Sequence, residues 1–222
     1  NEMLQVEGLL SHSKVRHFLN IFEGKHELPP SESLYDLFVW LEADAMLNNS
    51  KPNDTERINH FISVYEDTAL AKIKQGKYYE AISDYEKIIG CFENLIDVYK
   101  YKQAKLELLA KNDVKKYISQ IEEIKTKETE LQKFYQTAFF NKSFDWWQSE
   151  MNNYDKQTDN TKDNMELAMR KRVKGYLSLM AYSYSNNALK SYMLDEADHF
   201  IGLYQIVDPT NSEHYYLRAL LY

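Results

Sequence analysis

The chain has 222 residues, 44% of them apolar, which is enough to enclose a core and too apolar for wholesale disorder. Six glycines and four prolines are too few turn residues for a large all-β protein, so composition favours helices. The net charge of -7 argues against a general nucleic-acid binder, which needs basic surface to displace counterions, and no apolar run is long enough to span a membrane.

Val6, Leu9 and Leu10, then Val15, Phe18, Leu19 and Phe22, recur every three or four residues. They predict one or two short amphipathic helices, ended by Gly24 and by Pro29-Pro30. Ser31 or Ser33 offers an N-cap for a helix over about 33–48. Leu34, Leu37, Phe38, Val39, Trp40 and Leu41 cover most of its circumference, so burial on several sides is expected. A polar loop, 48–53, separates this N-terminal helical unit, residues 1–53, from the remainder, 54–222.

Asp54 or Thr55 caps the next helix, which Gln75-Gly76-Lys77 ends in a tight turn. From Tyr78 a regular apolar face runs through Ala81, Ile82, Tyr85, Ile88 and Ile89. Lone Cys91 sits in this face, so it reads as a small core residue, and it excludes an internal disulfide. Lys111-Asn112-Asp113 makes another turn, followed by Val114, Tyr117, Ile118, Ile121 and Ile124. Leu131, Phe134, Tyr135, Ala138 and Phe139 form a further face. Asn141-Lys142-Ser143 then turns the chain into Phe144, Trp147, Met151 and Tyr154. The polar stretch 152–164 predicts a mobile loop or hinge. A long helix over about 165–189 pairs with 194–206, Asp208-Pro209 stops that pair, and 212–222 begin one more helix.

These hairpins resemble the tetratricopeptide (TPR) family, whose unit of about 34 residues is two antiparallel helices. Ala69, Gly76, Tyr78, Ala81 and Tyr85 match its small, turn and aromatic positions. Ser185, Ala197, Ile201 and Pro209 match again, and Tyr215, Ala219 and Tyr222 fit the opening of another unit. Tyr117 and Trp147 stand where a small residue is expected, and such bulk should splay the helices. The resemblance implies an all-α fold, a right-handed α-α superhelix of four to five stacked hairpins. It also implies a non-enzymatic scaffold that binds a protein or peptide in a concave groove. Carried over, the groove positions include Glu66 and Lys74 in the clearest unit. Leu179, Tyr182, Asn186 and Lys190 follow in the later unit, and Glu213 and Tyr216 in the last. The family's clamp for a peptide carboxylate, Lys then Asn, is absent, because the corresponding residues are Glu66 and Leu70, or Tyr182 and Asn186.

No G-x-S-x-G, Walker A or G-x-G-x-x-G motif occurs, so neither a catalytic residue nor a cofactor is predicted. Glu196 and His199 give one E-x-x-H, but a carboxylate-bridged iron site needs two, so no metal is predicted. Arg170-Lys171-Arg172 with Lys174 is the one dense cationic run. A solvated face is expected there, with an acidic partner or membrane surface as the alternative. Trp146 adjoins Trp147, and one helix face cannot bury both. One indole should therefore line a groove or contact another module, unless it fills space between helices; an exposed indole would be an aromatic platform for the alternative function, a cell-envelope glycan binder. The Asn-, Lys- and Tyr-rich composition and the start at Asn1 point toward a periplasmic or lipid-tethered protein whose export signal has been removed. A cytoplasmic adaptor is the other expectation.

Overall fold

A computed structural model describes residues 2–13, 15–20, 22 and 28–222. Among these, every regular element is a helix, as composition predicts. In chain order they are α1 (Glu2–Ser11), α2 (Ser31–Leu47), α3 (Thr55–Lys74), α4 (Tyr78–Phe92) and α5 (Tyr99–Leu109). There follow α6 (Asn112–Asn141), α7 (Phe144–Asn160), α8 (Asn164–Lys190), α9 (Leu194–Val207) and α10 (Glu213–Leu221). They gather into two units, Asn1–Tyr117 and Ile118–Tyr222, and the division falls inside α6. With no Gly or Pro between Asn112 and Asn141, the apolar faces at 114–124 and 131–139 lie on one continuous helix.

In the first unit, α3 and α4 form a closely packed hairpin, and α2 and α5 both pack on α4. Ala69 and Ala81 are fully buried, which lets the two backbones approach. Asp54 caps α3, its Oδ1 accepting from the Arg57 amide at 3.0 Å. Of the one or two short helices expected before Gly24, α1 is one. Residues 15–20 have no regular structure, and Gly24 lies outside the described residues. Alternate side chains of this segment instead reach successive turns of α2. Arg16 Nη1 donates to Asp44 Oδ1 at 2.8 Å, Phe18 stacks on Trp40, and Asn20 Nδ2 donates to Asp36 Oδ2 at 3.0 Å. The repeats match when the segment runs nearly extended. Two extended residues advance about 6.6 Å, and four helical residues about 6 Å. Arg16 also donates through Nη2 to the Gly90 and Cys91 carbonyls at the C-terminal end of α4, at 2.9 Å each.

Asp36 is the buried centre of this unit. Tyr65 Oη donates to it at 2.9 Å and Lys87 Nζ pairs with it at 2.8 Å. Lys72 pairs with buried Asp84 at 2.6 Å, so each buried carboxylate has a cation. The expectation that α2 is buried on several sides fails. Val39, Ala43 and Met46 are buried, but Leu34, Leu37, Phe38 and Leu41 are exposed. Contacts to α3, to α4 and to the 15–20 segment cover only part of the circumference.

In the second unit α8 and α9 form the tightest pair, α7 packs on α9, and α10 packs on both α8 and α9. Ser185 and Ala197 are fully buried, and the Ser185 hydroxyl donates to the Ala181 carbonyl at 2.7 Å. At Gly202 an added Cβ would lie 2.9 Å from the Phe144 ring, so a glycine there admits that ring onto α9. Trp147, buried among Tyr135, Phe139 and Trp146, holds α6 and α7 apart, and their backbones approach less closely than those of either hairpin. The polar stretch expected as a loop is helical as far as Asn160, leaving only 161–163 as connection. Its polar residues occupy the outer faces of α7 while Met151 and Tyr154 enter the core.

Three helices end in the same way. After α3, Gly76 adopts φ +75, with Lys77 N donating to Lys72 O and Gly76 N to Ile73 O. Asn49 does this after α2 and Tyr192 after α8, at φ 57 and 58. Left-handed backbone suits glycine and is tolerated by asparagine, but costs a bulky residue about 1 kcal/mol or more. Tyr192→Gly is therefore expected to raise unfolding free energy by about 1 kcal/mol in a urea titration. Asp36→Ala, which removes the acceptor of Tyr65 and Asn20 and leaves Lys87 only its longer pair with Asp84 at 3.7 Å, should lower it by about 3 kcal/mol in the same measurement.

Candidate functional site

The residues expected to line a groove fall into two sets, one in each unit. In the second unit Leu179, Tyr182, Asn186 and Lys190 follow one another by three or four residues along one face of α8. Leu179 is 67% exposed and Lys190 is exposed, while Tyr182 and Asn186 are half-buried. The Tyr182 ring meets Tyr204 edge-on at 6.3 Å, which fixes its direction. On α10, Tyr216 is 59% exposed, and Leu220, one turn on, is also exposed. Leu220 is missing from the groove expected on the sequence, although its i+4 relation to Tyr216 would have placed it there. Beyond Lys190 the α8–α9 turn presents Tyr192, 87% exposed, followed by exposed Met193 and Leu194. No sequence signal marked Tyr192, since the strain that singles it out is a backbone angle.

In the first unit Glu66 is not a free contact. Its carboxylate accepts from Tyr101 Oη at 3.0 Å and pairs with Lys100 at 3.2 Å. Lys74 is exposed near the end of α3. The nearby turns build a shallow concavity of about 320 Å³ that motif reading missed. Gly76, Lys77 and the first turn of α4 form one side, and Asp113, Val114 and Tyr117 of α6 the other. Tyr79 and Tyr117 meet there at 5.2 Å between ring centres, and the Lys111 ammonium lies over Tyr78 at 4.6 Å. Burial, then Glu86 and Tyr117, raise the Tyr79 hydroxyl above its ordinary 10, so it remains a neutral phenol.

Of the paired indoles, Trp147 is fully buried and offers no platform, because it fills the gap between α6 and α7. Trp146 is half-buried, edge-on to Phe134, with the Lys142 ammonium over its ring at 5.5 Å. The cationic run is largely engaged within the unit. Arg170 pairs with Glu166 at 3.0 Å, Arg172 with Glu128 at 2.6 Å, and Lys174 with Asp155. Lys171 is exposed and has no ion pair among the described residues. The His199 ring packs on Phe144 at 5.0 Å, and among the described residues no group of three metal-ligating side chains forms. Burial pushes the Cys91 thiol up to about 11, so it stays protonated near neutral pH.

Against known proteins, the chain matches no family model, no curated protein and no solved structure.

Hydrogen bonds from Lys127 and then Arg170 hold the Glu166 carboxyl below its ordinary 4.5. A carboxyl lowered on folding contributes stability that is complete above the unfolded value and lost as pH falls through the folded one. Wild-type stability should thus fall on acidification below pH 4.5 by an increment that Glu166→Gln lacks, measured by urea titrations from pH 6 to pH 3.

Proposed function

We propose that the chain is a protein–protein interaction module without catalysis of its own. On this reading it is a right-handed stack of TPR-like hairpins that receives a peptide or helix along α8 and α10. Leu179, Tyr182, Asn186, Lys190 and Tyr216 supply an apolar, tyrosine-bearing contact face, and Leu220 extends it. Such a face suits an extended peptide or an amphipathic helix.

The observation that carries the reading is Tyr192. It occupies a left-handed turn where glycine is the unstrained residue, and its ring is 87% exposed. Among the described residues that ring makes no aromatic or hydrogen-bonded contact. Inside the chain the turn is offset only by its capping bonds, Tyr192 N to Leu189 O and Met193 N to Ala188 O, which glycine would make equally, so a tyrosine there is accounted for by a contact outside the chain. Exposed Met193 and Leu194 beside it, and Leu179 and Tyr216 on adjoining helices, extend the same apolar character.

Crosslinking capture from the source cell tests the reading, with wild type beside Tyr192→Gly and Tyr216→Ala. A partner enriched by wild type should be held roughly thirty-fold more weakly by either variant, the loss typical of truncating an aromatic anchor. Tyr192→Gly should show that loss while being more stable than wild type, which separates contact from folding. Equal capture by all three proteins would sink the proposal.

A further inference from the structure

The concavity between the α3–α4 turn and the start of α6 lies in the first unit and is independent of the α8–α10 face. Its walls are aromatic and its rim is ionic. Tyr79 and Tyr117 are each 40% exposed, with their ring centres 5.2 Å apart, over a floor that includes buried Val114. Glu80 and Asp113 stand on the rim, and neither has an ion-pair or hydrogen-bond partner for its carboxylate among the described residues. Of the nearby cations, Lys105 pairs with Glu86 at 2.8 Å and Lys111 rests on Tyr78, and neither these nor Lys77 pairs with Glu80 or Asp113.

We propose that the Tyr79/Tyr117 concavity binds the cationic side chain of a basic peptide, with arginine as the preferred residue. The chain already shows the interaction next door, where the Lys111 ammonium sits 4.6 Å from the Tyr78 ring centre. Tyr79 and Tyr117 offer the same negative ring faces with no internal cation over them. A guanidinium lying on one ring can direct its edge N–H groups at Glu80 or Asp113, a charge-assisted geometry that ammonium meets less well. Gly76 suits this arrangement. It takes the left-handed turn without strain, and its missing side chain leaves the rim open. The overall charge of -7 favours encounter with a basic partner, and the attraction weakens as salt rises.

The test is a titration of the whole ¹⁵N-labelled chain, followed by amide shifts. The probes are Nα-acetyl-arginine amide, its lysine counterpart and the neutral citrulline counterpart. Arginine should move the amides of residues 76–80 and 113–117, and citrulline should bind several-fold more weakly. Tyr79→Leu and Glu80→Gln should each weaken arginine binding about two- to five-fold, the range for exposed cation–aromatic contacts. Glu80 is exposed, so its variant keeps the wild-type spectrum elsewhere and reports on binding alone. Citrulline binding as well as arginine, shifts that map to other residues, or no saturable shift would each overturn the proposal.

Discussion

Close helix approach is the constraint from which both units are built. Two helices come nearest where neither carries a large side chain, and each unit contains one such place. Ala69 faces the α4 side of its hairpin and Ala81 the α3 side, while Ser185 and Ala197 serve α8 and α9. Around these contacts the larger residues Tyr85, Ile88, Leu177 and Ile201 fill the grooves alongside. Between α6 and α7, where Trp147 fills the gap, packing continues through aromatic rings and the backbones part. The two hairpins thus fix the frame, and α2, α5, α7 and α10 are laid on it.

The first unit adds a second device, a buried carboxylate shared among elements. Asp36 holds Asn20 of the irregular segment, Tyr65 of α3 and Lys87 of α4. A buried ion of this kind demands its partners, since an unpaired charge in that position is strongly unfavourable. It therefore specifies how α2 sits, even though much of the apolar surface of α2 remains uncovered. Arg16 acts similarly, joining α2 through Asp44 to the carbonyl end of α4.

The candidate surfaces depart from local rules in different ways. At the α8–α9 turn the chain places tyrosine where glycine would be unstrained, and leaves the ring in solvent. At the α3–α4 turn it uses glycine as expected, and the open rim beside it exposes aromatic and acidic groups. A face of α8 legible as a period of three and four residues runs up to the first of these. Neither turn was distinguishable as a surface from residue types alone.

The sequence by itself determined the helical class, most turns and the two tight hairpins. Those signals act within a few residues: the helical period, the Asp54 cap and the left-handed Gly76. The polar composition of 152–160 suggests a loop, but the spacing of Trp147, Met151 and Tyr154 carries the helix through it. Only tertiary structure decided which of Trp146 and Trp147 is buried, since both share one helix and the choice belongs to α6. It also decided that the basic run is paired, because Arg172 meets Glu128 across 44 positions of sequence. Arg16 reaches Gly90 across 74 positions, far outside any local pattern. A side chain's neighbours along the chain set its helix and its face. What that face touches depends on charge and shape brought from elsewhere, and so do the surfaces left open for binding.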